Sequence, residues 1–160
     1  MRLRLASGKV QSITTKLYYA AIAMQLSPLI AVHMTAAISA IGLGPIALWA
    51  RRGATQRPRL HRAFGYAWVT MMLVTAVSAI FIRDYRLPNI AGFTPIHLFV
   101  PATFYFLFRA FQALSKGNIT SHRRNMQRLY ISACLIAGAF TLLPNRYLGN
   151  LIWRQWLSLV

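Results

Sequence analysis

The chain has 160 residues, 57% of them hydrophobic, and sets 18 Lys plus Arg against one acid, Asp84, for a formal net charge of +17. A soluble domain carries about a quarter of its residues as charges of both signs, so 12% charged residues, nearly all positive, exclude a water-facing surface over so much apolar sequence; a surface facing lipid must itself be apolar. A single acid also excludes catalysis by paired carboxylates, and the basic residues sit at the ends of apolar runs rather than along one face, which sets nucleic acid aside and points to anionic lipid headgroups as partner.

The first apolar run extends from Leu17 past Ala50, too long for one untilted span and too short for two. Residues 10–27 therefore read as an interfacial helix leading into the membrane, within an N-terminal segment 1–27. The run holds no A-x-A cleavage pattern, so no signal peptide is expected. A hydrocarbon core of ~30 Å takes about 20 helical residues, and four segments meet this: about Pro28 to Ala50, His61 to Ile82, Thr94 to Ala113 and His122 to Leu143. Pro28, Pro58 and Pro95 fall at or just before helix starts, where a missing N–H is tolerated, and Thr94-Pro95 reads as an N-cap with its first helical residue. Pro88 and Asn89 mark a loop, Gly117-Asn118 breaks the chain before the last span, and Pro144-Asn145 ends it. Gly44-Pro45 and Pro101 fall inside spans and predict kinks whose freed carbonyls are satisfied by neighbours. Trp153, Arg154 and Trp156 suggest a second interfacial segment over 144–160. The expected fold is all-α: a polytopic integral membrane four-helix bundle over 28–143, with short interfacial helices at the termini. Cys134 lies in an apolar run and has no partner for an internal disulfide.

Charge orients the spans. Arg51, Arg52, Arg57 and Arg59 follow the first, with Arg62 just inside the second; Lys116, Arg123, Arg124 and Arg128 join the third to the fourth, with Arg109 close by. The intervening connection has only Arg83 and Arg86, with Asp84. The Arg-rich loops 51–60 and 114–124 are therefore expected on the cytoplasmic side of a bacterial cytoplasmic (inner) membrane. Both termini then lie outside; Arg2, Arg4, Lys9 and Lys16 weigh against that, and the loop asymmetry is the larger signal.

Two hairpins of similar design are visible. The second and fourth helices open with His61-Arg62-Ala63-Phe64-Gly65 and His122-Arg123-Arg124-Asn125-Met126, both H-R-x-x-[GM], and His33 and His97 each follow a proline, Pro28 and Pro95. This is either a parallel repeat or chance similarity in a low-diversity sequence. Topology then puts His33 with His97 at the outer side and His61 with His122 at the cytoplasmic side. Two imidazoles from different helices suit the axial positions of a b-type haem iron, and Arg62, Arg123 and Arg124 could neutralise propionates. The competing reading places these histidines in the headgroup layer, His61 and His122 above all; ionisable groups within a span are functional candidates, which ranks His33 and His97 first. A mononuclear metal site is disfavoured, since no carboxylate or thiolate lies near either pair. Phe104, Tyr105, Phe106, Phe108 and Phe111 face lipid, pack the core, or line a quinone or pigment pocket. Asp84 is expected to pair locally with Arg83, and no Gly-rich phosphate loop is present.

The motifs His33-x-x-x-Ala37, Leu60-His61-Arg62-Ala63-Phe64-Gly65-Tyr66, Pro95-Ile96-His97-Leu98 and the long run from Arg109 to Tyr130 resemble an uncharacterised family of predicted bacterial membrane proteins, domain of unknown function family 2306, over about His33 to Leu143. The resemblance implies a four-helix membrane domain with histidines at those places, and no activity. A looser architectural likeness is to diheme b-type cytochromes of the ascorbate-reducible kind, whose ligands pair first helix with third and second with fourth; His61 and His122 sit nearer their helix ends than such ligands do. Two functions stay open: a b-type haem subunit of an electron-transport membrane, exchanging electrons with a quinone, or a cofactor-free accessory subunit of a larger respiratory or photosynthetic membrane complex, which the excess positive charge would suit. Whether the chain is an enzyme is left open. A transporter would want buried charges along a pathway.

Overall fold

Each helix begins where the sequence replaces the amide bonds that a first turn lacks. Ser27 Oγ accepts the Ile30 amide at 3.3 Å, and Pro28, which has no N–H to lose, opens α1 (Pro28–Trp49). Pro58 likewise opens α2 (Pro58–Phe81), one turn earlier than the His61 start expected from hydropathy. Pro95 starts a short 3-10 turn, Pro95–Leu98, that runs into α3 (Phe99–Ser115). α4 (Ile119–Leu129) continues through a π-helical turn, Tyr130–Ile136, into α5 (Ala137–Thr141), and α6 (Tyr147–Asn150) follows. The computed structural model describes residues 27–51, 57–83, 85, 89–143, 147–150 and 152–153. The interfacial helix expected over 10–27 (all but Ser27), Arg52, Asp84, Arg86, Pro88, Pro144, Asn145, Arg154 and Trp156 lie outside the described residues. Trp153 Nε1 donates to the Leu142 carbonyl at 2.8 Å.

Two tight turns fold the rods back. At the end of α3, Gly117 N–H donates to Leu114 O (3.0 Å) and Asn118 N–H to Ala113 O (2.8 Å). This double closure needs a left-handed residue, supplied by Gly117 at φ +70°. Asn118 Oδ1 then accepts the Ser121 amide at 2.9 Å, so one residue ends α3 and caps α4. At the other end of the molecule, Ile90 and Phe93 exchange backbone hydrogen bonds of 3.0 Å around Ala91 and Gly92, at φ +53° and +83°. Positive φ at both central residues makes this a type I′ turn.

α1 packs along α2 and α3 along α4, giving two hairpins; the hairpins meet through α2 with α3 and through α1 with the π-helical turn. The buried face of α1 is Ala36, Ala40, Gly44 and Ala47, small residues that let neighbouring backbones approach closely. Trp68, Met72 and Ala76 of α2 and Thr103, Leu107, Ala110 and Ala113 of α3 keep the helical spacing. In the last rod the buried positions are Asn125, Leu129 and Cys134, a step of four and then five. The wider π turn supplies the extra residue, which returns Cys134 to the interior, where its thiol lies 3.6 Å from Met72 Sδ.

Among the described residues, three helices are long and apolar enough to cross a membrane: Pro28–Trp49, Pro58–Phe81 and Pro95–Ser115. The run Ile119–Thr141, expected as a fourth span, is helical but composite, and its first turns, Ile-Thr-Ser-His-Arg-Arg-Asn, are polar. Outward faces are apolar, with Ile38 58% and Phe108 65% exposed, as a lipid-facing surface requires. Hydroxyls within the rods bond back to their own helix: Thr35 to Ala31 O, Thr75 to Met71 O and Thr103 to Phe99 O.

The expected kink at Pro45 is resolved across the hairpins. Proline removes the amide that would bond the carbonyl four residues back, that of Ile41. Tyr130 Oη donates to this carbonyl at 3.1 Å. Gly44 makes room for the ring: a Cβ there would lie 2.6 Å from Tyr130 ring carbons and 3.0 Å from Trp68 Nε1. Pro101 falls just after the 3-10 turn, at the third position of α3.

Candidate ligand cavity at the basic end

His61 and His122 are each the fourth residue of their helix. Each turns its ring back onto the preceding rod of its own hairpin. His61 Nδ1 lies 2.8 Å from Ala47 O, and His122 Nδ1 lies 3.0 Å from Ala110 O. A carbonyl only accepts, so Nδ1 carries the proton and, in the neutral ring, Nε2 carries the lone pair. Among the described residues neither Nε2 makes a hydrogen bond. The seat is alike in both hairpins: Ala47 in α1 with Ala50 at its C-cap, and Ala110 and Ala113 in α3, are buried alanines at the same spacing, which lets the imidazole reach the backbone. The similarity of the two hairpins thus extends from the His-Arg dipeptides to the helices that receive them.

Both imidazoles line one cavity of about 380 Å³ between the hairpins, open on one side. Leu48, Val69, Phe111, Leu114 and Met126 form apolar walls, and Arg51, Arg62 and Arg123 bring three guanidiniums to it. Such a cavity, mostly apolar with a few placed polar groups, is the usual form of a ligand site. Gly65 stands one turn beyond His61 on the same wall, and no heavy atom outside its own helix lies within 4 Å of where a Cβ would sit. Arg123 donates to the backbone carbonyl of Arg51, which ties the two Arg-rich connections together at one end. Arg124 is exposed and not among the lining residues.

Two buried donors at this cavity have no hydrogen-bond partner among the described residues: Arg51 Nε and Trp68 Nε1. Trp68 is 4% exposed. The Cys134 thiol is near it, but as a weak acceptor directed at Met72 it leaves the indole N–H without a bond of ordinary geometry. Tyr130 completes the deep wall, its ring centroid 6.4 Å from that of Trp68.

The other two histidines lie at the opposite end. His33 Nδ1 is 3.0 Å from both Thr75 O and Ser78 Oγ, joining α1 to α2. His97 uses both ring nitrogens: Nδ1 accepts the Thr94 amide at 3.1 Å and Nε2 donates to Ile82 O at 2.9 Å. That closes the connection between α2 and the 3-10 turn. His33 and His97 are near enough to interact electrostatically, but coordination of iron by His97 would require one of its two backbone bonds to open. Among the described residues no three His, Cys, Asp or Glu side chains gather as a metal site. Of the aromatic cluster on α3, Phe111 lines the cavity, Phe106 packs on the core, and Phe104, Tyr105 and Phe108 are exposed. Arg83 lies over the Phe93 ring at 3.8 Å and donates to Ala91 O.

Arg51, Gly65, Trp68 and Tyr130 are cavity residues that motif reading alone did not single out. The signal was present for two of them: His61, Gly65 and Trp68 recur at steps of four and three, which places them on one helical face. Arg51 and Tyr130 reach the cavity only through contacts between hairpins. No curated protein and no solved structure matches this chain at a significant level. A family profile does match residues 30–144, a stretch that holds all four histidines and the cavity that His61 and His122 line, and the chain belongs to that family, the predicted membrane proteins described as domain of unknown function 2306 (DUF2306).

Proposed function

We propose that this chain is a multi-pass protein of the bacterial cytoplasmic membrane whose four helical rods form a bundle, and that it carries electrons through one b-type haem at its basic end, with His61 and His122 as axial ligands. The observation that supports this is the paired imidazoles: two rings from different hairpins, each fixed by an Nδ1–H bond to a backbone carbonyl, with both Nε2 lone pairs free at one cavity. Ligating histidines characteristically donate their other nitrogen in this way, which sets the tautomer and the ring plane. The apolar walls suit a macrocycle, and Gly65 leaves helix backbone open to a flat face. A haem held by both His61 and His122 would support one-electron transfer. The Arg-rich end faces the cytoplasm under this reading, by the charge rule. The fourth span runs from about His122 to Leu143, with its polar first turns in the headgroup layer.

A reduced-minus-oxidised spectrum of protein purified from haem-replete membranes tests the proposal. A low-spin b-type band is expected, absent in His61→Ala and in His122→Ala and retained in His33→Ala. Lack of any band in the unaltered protein would leave a cofactor-free subunit of a larger complex as the surviving reading.

A further inference from the structure

Arg51, Arg62 and Arg123 line the cavity; Arg62 and Arg123 are exposed, and Arg51 Nε is buried with no hydrogen-bond partner among the described residues. Buried guanidinium groups need an acceptor, yet the chain has one carboxylate side chain in all, Asp84, which follows α2 at its far end in sequence. With no other carboxylate side chain in the sequence, an anion for the buried Arg51 N–H is best supplied from outside the chain, and the exposed Arg62 and Arg123 stand beside it to share that anion. We propose that Arg51, Arg62 and Arg123 form an anion subsite that binds the carboxylate groups of the cavity's ligand, with Arg51 as the buried member. The ligand then lies with its acidic edge toward the basic end of the molecule and its apolar body toward Gly65, Trp68 and Tyr130.

This inference rests on the haem reading and deepens it. Arg123 donates to the Arg51 backbone carbonyl, which keeps these two arginines side by side at the cavity. Guanidinium binds carboxylate through paired, charge-assisted hydrogen bonds, and an ester at the same place loses both the charge and most of that geometry.

The test compares haemin with its dimethyl ester, titrated into apo-protein in neutral detergent, reading the low-spin band that His61 and His122 would generate. The diacid is expected to bind about tenfold or more tightly than the diester. Arg51→Gln should shrink that ratio several-fold without shifting the band, and Arg51→Lys should restore part of it. Circular dichroism and a single elution peak check that each variant is folded. Equal affinity for diacid and diester in the unaltered protein, or a ratio that Arg51→Gln leaves unchanged, overturns the subsite and leaves the haem reading standing. No low-spin band with either compound overturns both. If diacid and diester bind alike while phosphatidylglycerol is retained in an Arg51-dependent way through purification, the three arginines hold a lipid phosphate and the carboxylate assignment fails.

Discussion

The Nδ1 of His61 stands 2.8 Å from the carbonyl oxygen of Ala47, and this one contact both caps a helix and fixes the imidazole at the cavity. Ala47 lies among the last four residues of α1, whose carbonyls have no amide ahead of them in the helix, and it is buried. His122 makes the matching bond to Ala110, but Ala110 lies farther from the end of α3, where the carbonyl already has a helical partner. The two substitutions should therefore differ in stability while agreeing in spectrum. His61→Ala leaves a buried carbonyl unsatisfied, at about 1–3 kcal/mol, whereas His122→Ala removes one bond of about 0.5–1.5 kcal/mol. Thermal unfolding in detergent should rank His61→Ala below His122→Ala, and both should lack the low-spin band. Equal melting temperatures would remove the capping role from His61.

Tyr130 and Pro45 form a second cross-hairpin pair. The Tyr130 hydroxyl serves the Ile41 carbonyl that Pro45 leaves without an amide, so Tyr130→Phe should destabilise by about 1–2 kcal/mol. Gly44→Ala should do more harm than its single methyl suggests, because the Cβ would meet the Tyr130 ring at 2.6 Å. In a Tyr130→Ala background the same Gly44→Ala change should cost clearly less, with only the 3.0 Å approach to Trp68 Nε1 remaining. A double-mutant cycle measures this coupling, and additive effects would contradict the packing described.

The helices were legible because a membrane helix declares itself by length, apolar content and proline punctuation; Pro28, Pro58 and Pro95 each sit at a helix start. The π-helical turn was not legible. Nothing in Tyr130–Ile136 marks a wider turn by composition, and the step from Leu129 to Cys134 has meaning only once a packed neighbour shows which face is inside. The histidines were visible as residues, but their hydrogen bonding was not. Depth in the span favoured His33 and His97, whereas hydrogen bonding sets His97 apart: it commits both nitrogens to the backbone, and His33, His61 and His122 each bond through Nδ1 alone. That distinction depends on where the carbonyls of a neighbouring helix lie, which spacing along one chain does not reveal.

The outer histidines lead to a prediction of opposite form. His97 serves the buried Thr94 amide and the Ile82 carbonyl at the end of α2. Its loss strands two backbone groups, so His97→Ala should destabilise by about 2 kcal/mol or more. Under the proposed function the haem spectrum of the surviving folded fraction should be unaltered. A low-spin band that disappears in His97→Ala while folding is retained would move the iron to the outer end.

Strain is visible at Ala91. A type I′ turn asks for φ above zero at both central positions, and at φ +53° the Cβ of Ala91 costs roughly 1 kcal/mol in that region. Ala91→Gly should raise stability by a few tenths to about 1 kcal/mol, the relief being partly offset by the freer unfolded chain. Ala91→Val, β-branched, should lower it. Both are read by thermal unfolding, and the Val variant matching the unaltered protein would show that the turn relaxes to another form.

Gly65 separates the cavity's binding role from its structural one. In the interior of α2 a glycine disfavours helix by about 1 kcal/mol relative to alanine, so a larger residue there should stabilise the helix provided it has room. Room exists, since no heavy atom outside its own helix lies within 4 Å of the Cβ position, and the space is the cavity itself. Gly65→Leu should therefore leave the melting temperature unchanged or raised while its side chain occupies the volume beside His61. Haem incorporation should fall at least tenfold, although both histidines and all three arginines remain. If Gly65→Leu folds and still takes up haem at the unaltered level, the ligand does not lie against this wall, and the cavity between the hairpins is not where the iron sits.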